Sequence, residues 1–416
     1  MTLQINQRID QIRHGEVPEG YTKTKEGVIP SDWTIKKMKQ WISLEERPVT
    51  LQDDEDYELV TVRRAYGGVD SRGIYKGKDV LVKTYFSVAK DDFIISKRQI
   101  AHGACGLVPE KLHGAVVSNE YNVFKANEGT NIHFFNLMMQ LPHYKRLFYL
   151  MSDGVHIEKL LFKTGDWMKR SLAMPPLPEQ KKIAEILSAQ DKLIALKEKL
   201  IDEKKLQKKY LMQQLLTGKK RLPGFSGEWI DVKLGDIFVE RVETNCQDLE
   251  LLSVTGTNGV VPRSTIDIKD NSSEDKSKYL KICKGDIGYN TMRMWQGVSA
   301  LSAYEGIVSP AYTILIPSET ISAKYFSYLF KMHAVIFLFY RFSQGIVDDT
   351  RSLKYYEFAK LHLTVPAEKE EQDAIAQILI TADKELEILQ KNLDQAKQKK
   401  KALMQLLLSG VVRVNV

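Results

Sequence analysis

The chain repeats itself. Residues 179–218 and 371–410 align without a gap at an offset of 192, and 19 of the 40 positions are identical. Identity of that density marks an internal duplication, and a segment present twice commits the chain to a two-part architecture. Each copy reads as a helix. Neither contains proline, glycine is absent until the closing Gly218 and Gly410, and Ala, Leu, Lys, Glu and Gln dominate. Glycine just past the last apolar residue is a helix stop.

The apolar positions recur as in a coiled coil. In the second copy Ile375, Ala382, Leu389, Ala396 and Leu403 fall every seven residues, with Leu379, Leu386, Leu393 and Leu407 as a companion series broken at Lys400. The first copy carries Leu187, Ile194, Ile201 and Leu215, with Ile186, Leu193 and Leu200 beside them. At ~1.5 Å per residue each helix would run roughly 57 Å. A lone helix of this length would leave its apolar stripe in water, so the two copies are expected to pack on each other, antiparallel across the intervening segment. The alternative is that each serves a separate homodimer. Lys204-Lys205, Lys208-Lys209, Lys397 and Lys399-Lys400-Lys401 read as a solvated face, with phosphate contact secondary.

The duplication continues, more thinly, outside the helices. Pro30-Ser-Asp-Trp33 answers the stretch from Pro223 to Trp229, and both tryptophans read as core residues. Asp92-Phe-Ile answers Asp286-Ile-Gly, and Val117 to Tyr121 answers Val308 to Tyr312. Gly154-Val155 followed by Trp167 answers Gly345-Ile346 followed by Phe358. These globular segments look mixed α/β. Strands are expected at Val80–Phe86, Val116–Phe124, Leu251–Val254 and Ile307–Ile316, loops at Tyr66-Gly-Gly68 and Gly256-Thr-Asn-Gly259, and helices at Asn131–Met139 and Ala323–Tyr340.

The 416 residues are 43% hydrophobic and 27% charged, ample for more than one core. The longest apolar run, Ala334 to Tyr340, is far short of the ~18 residues a bilayer needs. The N-terminus lacks a secretory pattern, and Cys105, Cys246 and Cys283 are scattered. The expectation is a cytoplasmic protein with no membrane contact. Its net charge of +7 permits a nucleic-acid partner without demanding one. Phosphate-loop, zinc-protease, nucleophile-elbow and dinucleotide motifs are all missing, and Gly73-Ile-Tyr-Lys-Gly-Lys has the wrong spacing for a phosphate loop. Pro175-Pro176 lacks the polar and aromatic neighbours of an adenine methyltransferase loop, and the eight histidines are dispersed, so neither a catalytic centre nor a metal site is expected.

Met174-Pro-Pro-Leu-Pro-Glu-Gln-Lys-Lys-Ile-Ala-Glu-Ile-Leu187, leading to Leu211-Met-Gln-Gln-Leu-Leu-Thr-Gly218, resembles the junction of a type I restriction–modification specificity subunit, where a target-recognition domain passes into a spacer helix. Pro366 followed by Glu371-Gln-Asp-Ala-Ile-Ala-Gln-Ile-Leu379 is similar, with one residue more before Glu-Gln and without the Pro-Leu-Pro. Gly27 to Trp33 and Arg221 to Trp229 resemble the starts of such domains. The resemblance implies an α/β protein: two recognition domains joined by two long antiparallel coiled-coil helices, as a pseudo-twofold repeat. It divides the chain into an N-terminal segment (1–17), a first recognition domain (18–174), a first spacer helix (175–221), a second recognition domain (222–366), and a second spacer helix with the C-terminal tail (367–416).

It further implies that each domain reads one half of a bipartite, asymmetric site on double-stranded DNA. The chain itself would hold no cofactor. Two modification subunits would use S-adenosylmethionine to methylate adenine N6, and restriction subunits would use ATP and Mg2+. Base readout needs Arg, Lys, amides or acids at the groove edge. In the first domain the candidates are Arg63, Arg64 and Tyr66, with Lys97, Arg98, Gln99 and His102. In the second they are Asn290, Thr291, Arg293, Trp295 and Gln296, with Arg263, Gln344 and Arg351. Two other classes compete: a self-contained methyltransferase or nuclease with an unrecognised site, and an architectural coiled-coil adaptor.

Overall fold

The computed structural model describes residues 2–25, 27–156, 160–256, 259–266, 273–347 and 350–415. Two continuous helices dominate it, Leu177–Leu215 and Lys369–Leu408, of 39 and 40 residues. The chain divides into two compact units, and each long helix is divided between them: residues 1–196 with 393–416 form one, residues 197–392 the other.

In the first unit Ile183, Ala184 and Leu187 share a core with Leu407 and Leu408, and further along Asp191 pairs with Lys400. Numbers rise on one strand of this contact as they fall on the other, so the two half-helices are antiparallel. The second unit repeats the arrangement. Leu215 and Leu216 share a core with Ile375, Ala376 and Leu379, and Lys208 and Lys204 pair with Asp383 and Glu385. One part of the heptad reading needs correction. Leu193 and Leu200 are 42% and 40% exposed, because they lie beside the seam rather than in it. The second seam position of the first copy is filled instead by half-buried Gln190, Lys197 and Lys204, and across the seam the Lys204 amine meets Glu385.

Each unit carries one four-stranded antiparallel sheet of the same order. In the first it runs Cys105–Leu107, Phe93–Ser96, Tyr121–Ala126, Ile42–Leu44; in the second Ser299–Leu301, Ile287–Asn290, Tyr312–Pro317, Phe238–Glu240. A clamp strand closes each unit: Thr34–Lys37 pairs with Ser171–Met174, and Trp229–Lys233 with His362–Pro366. The first unit adds a five-stranded sheet containing Asp56–Val62 and Val69–Lys76. Matching ion pairs brace the sheets. Arg47 holds Asp92 and Arg241 holds Asp286, both acids being buried.

Several expected elements are shorter than their apolar runs. The strand expected at Val80–Phe86 is confined to Thr84–Ser87, and Leu81 is fully exposed. Val116–Phe124 and Ile307–Ile316 are each interrupted by a turn, closed by Tyr121 N–H on Ser118 O and by Tyr312 N–H on Ser309 O. Ala323–Tyr340 is two helices, Ala323–Leu329 and His333–Phe342. Thr257 and Asn258 of the expected Gly256–Gly259 loop lie outside the described residues.

The globular parts are fastened to the helices by a joint built twice. Gln180 donates to Pro175 O and accepts from Asn131 N–H, as Gln372 donates to Pro366 O and accepts from Ser322 N–H, at 2.8 Å in all four cases. Gly218 and Gly410 adopt left-handed φ of 69° and 73°. A Cβ on either would lie about 3 Å from the ring of Trp229 or Trp33, so both tryptophans pack where the helix ends.

Candidate nucleic-acid interface

In the first unit the structure brings the two candidate stretches together. Ala65 and Tyr66 turn through left-handed φ of 55° and 58°, an uncommon conformation for non-glycine residues. Their N–H groups donate to His102 O and Gly103 O at 2.7 and 2.9 Å. Arg63 is exposed and pairs with Asp70; Arg64 is exposed at the same turn. Tyr66 is half-buried with its ring on Gly103, and burial pushes its phenol pKa up. Arg98 is exposed and bound to Glu120; Lys97 donates to Asn119 O. Gln99 starts the short 3-10 turn Ile100–His102, which Gly103 ends. The Tyr66 turn also borders a cavity of about 480 Å³ lined by Leu141, Asp191, Lys397, Lys400 and Met404.

The second unit builds the same loop from different side chains. Arg293 begins the turn Met294–Gln296 with φ −132° and ψ 8°, and Gly297 ends it; Gln99 has φ −117° and ψ 5° at the corresponding place. Asn290 Oδ1 accepts from Met292 N–H, Thr291 bonds Thr313 through their hydroxyls, and Trp295 donates to Met292 O. Trp295 meets Tyr340 edge-on at 6.1 Å, and the Arg351 guanidinium lies 4.2 Å over the same Tyr340 ring. Gln344 is exposed and bonds Glu357 and Tyr356. Gln296 is exposed, while Arg293 and Arg263 are half-exposed. Burial raises the Tyr312 pKa, opposed by the charge of Arg263 and a bond from Asn290, so these candidates also converge.

Sequence reasoning missed Lys331. Its amine donates to Gly297 O and Ser299 O at 2.7 and 2.6 Å, tying down the end of the loop. Burial lowers its pKa to about 8. It also missed Arg221 and Arg413, although both lie just beyond the ends of the repeat at the repeat's own offset of 192. Among the described residues, no three His, Cys, Asp or Glu gather where they could hold a metal ion, and no helix is long and apolar enough to cross a membrane.

The fold and the paired loops define a duplicated scaffold: one backbone design used twice with dissimilar side chains. Residues 30–205 match the family model described as a type I restriction modification DNA specificity domain. The chain is 23% identical to the putative type I restriction enzyme MjaX specificity subunit of Methanocaldococcus jannaschii, over 95% of this chain and 97% of the relative. It is 26% identical to the MjaVIII specificity subunit of the same organism, over 62% and 65%. In fold it is similar to the HsdS subunit of Thermoanaerobacter tengcongensis (TM-score 0.52, 16% identity, 92% and 98% covered) and to the type I restriction–modification S subunit of M. genitalium (TM-score 0.56, 13% identity, 92% and 96% covered). Over residues 30–205 the chain thus matches the DNA specificity domain of type I restriction–modification systems, and along most of its length it is similar to their specificity subunits.

Proposed function

We propose that the two units each read one half of a bipartite, asymmetric site on double-stranded DNA. The recognition domains are residues 18–174 and 222–366, behind the N-terminal segment 1–17. The segments 175–221 and 367–416 carry the spacer helices that set the gap between halves and dock two modification subunits. Arg63, Arg64, Tyr66, Lys97, Arg98, Gln99 and His102 serve the first half; Arg263, Asn290, Thr291, Arg293, Trp295, Gln296, Gln344 and Arg351 serve the second. The chemistry belongs to the partners: S-adenosylmethionine-dependent adenine methylation in the modification subunits, and ATP- and Mg2+-driven action in restriction subunits, all in the cytoplasm.

The observation that carries this reading is the equivalence of Gln99–Gly103 and Arg293–Gly297. Both open on similar backbone angles at Gln99 and Arg293, run through a three-residue 3-10 turn and close on a left-handed glycine, while their side chains differ, as two heads reading unlike bases require. Coupling two weak readers through fixed helices makes the second contact intramolecular. The test is one heptad inserted into each helix, after Leu196 and after Asn392, with the complex assembled on its modification subunits. Seven residues add about 10 Å per helix, or about three base pairs. The gap should lengthen while the bases read in both halves stay the same; altered bases in either half would contradict the proposal.

A further inference from the structure

Beside each candidate reading loop stands a short finger that the two units build alike. In the first, Ser152–Asp153 pairs antiparallel with Leu161–Phe162; in the second, Gln344 pairs with Ser352. Ser152 Oγ donates to Phe148 O, and Ser343 Oγ to Phe339 O, both at 2.7 Å. Each finger is bonded to its reading loop through the backbone, Phe162 N–H to Lys97 O at 2.9 Å and Leu353 N–H to Thr291 O at 2.8 Å. Each then turns at a glycine, Gly154 with φ 157° and Gly345 with φ 148°. Each presents a β-branched aliphatic side chain to solvent, Val155 at 94% exposure and Ile346 at 98%.

A single exposed aliphatic needs no explanation. Two at matching positions, on matching supports, do. The reading loops differ between the units because the bases they meet differ; a feature held alike must meet something common to both half-sites. The base stack is common to any DNA sequence, and aliphatic side chains are the wedges that enter it. We propose that Val155 and Ile346 insert into the base stack of their respective half-sites, loosening one step without regard to sequence. The proposal rests on the reading of the loops as DNA-contacting. It gives the fingers a role in methylation, since an enzyme acting on a base inside a duplex must first extrude it.

The experiment uses the full chain with its modification subunits and duplexes carrying 2-aminopurine at successive positions of each half-site. The wild-type complex should raise fluorescence at one step per half. Ile346→Ala should remove that rise and slow methylation on the order of tenfold in the second unit's half only. Val155→Ala should do so in the first unit's half only. An abasic position at that step should restore the rate of either variant, and Ile346→Leu should behave as wild type. Unchanged fluorescence and rate in Ile346→Ala overturn the proposal, as does loss of co-purification with the modification subunits, which would make the finger a protein contact. A wild-type complex with no preference for either half overturns instead the recognition reading beneath it.

Discussion

Arg413 grips Glu179 through two parallel bonds, Nε to Oε1 and Nη2 to Oε2, each 2.7 Å. Arg221 grips Glu371 with the same atoms at the same distances. The first residue of the Glu-Gln pair is therefore a buried anchor, and its partner comes from the segment just after a long helix. In the second unit that segment leads on toward Trp229; in the first it is the C-terminal tail.

Arg413→Met should therefore destabilise the first unit heavily. The Glu179 side chain is 3% exposed, and leaving a buried charge without its partner costs ~3–5 kcal/mol. Denaturant unfolding checks this, and a loss below about 1 kcal/mol would count against the joint. Arg413 also lowers the Asp32 pKa. A lowered carboxylate contributes stability present above its ordinary range and lost as pH falls through the lowered value. The variant should lose that contribution, flattening the acid limb of the stability profile.

The charged rungs of the helix pairing should be weak and sensitive to salt. Lys208 meets Asp383, whose other oxygen accepts from the Tyr328 hydroxyl, but the Asp383 side chain is 43% exposed. A double-mutant cycle on Lys208→Met and Asp383→Asn should give a coupling of ~0.5–1 kcal/mol that fades with added salt. A coupling near 3 kcal/mol, indifferent to salt, would mean that the pair is effectively buried.

Much of this was legible in the chain. A gap-free repeat rich in helix formers can hardly be anything but two long helices, and the Asp92 and Asp286 match pointed to equivalent sheets. What was not legible depends on tertiary partners. No periodicity says that Leu193 and Leu200 stay in water while Lys204 holds a neighbouring seam position against Glu385. Nothing local breaks Ala323–Tyr340; the break comes where Lys331 is drawn to the carbonyls of Gly297 and Ser299. The fingers left a trace, the Gly154-Val155 and Gly345-Ile346 match, which is silent about exposure. The side chains of the reading loops could be guessed by type, but their convergence on Tyr340 and Tyr312 could not.

Lys331 should give stability an alkaline signature. Its pKa is lowered to about 8 by burial, whereas an unfolded lysine titrates near 10.4. Between those values the unfolded chain binds the extra proton, so stability rises with pH across that window. Lys331→Met should abolish the rise and leave two carbonyls without their donor, at about 1–3 kcal/mol. Thermal melts from pH 7 to 11 (roughly spanning both values) would show it; a rise that persists in the variant assigns it to another group.

Arg293→Ala should cost ~1–3 kcal/mol of binding and relax base preference in one half-site only. Competition binding with duplexes mutated in one half at a time resolves the two. Equal loss in both halves would remove Arg293 from the reading set.

The most direct test is the methylation profile of DNA from cells carrying this chain together with its modification subunits. Two unlike reading heads on shared helices require a single motif of two dissimilar halves separated by a fixed gap. A continuous motif, two identical halves or a freely variable gap would contradict the account.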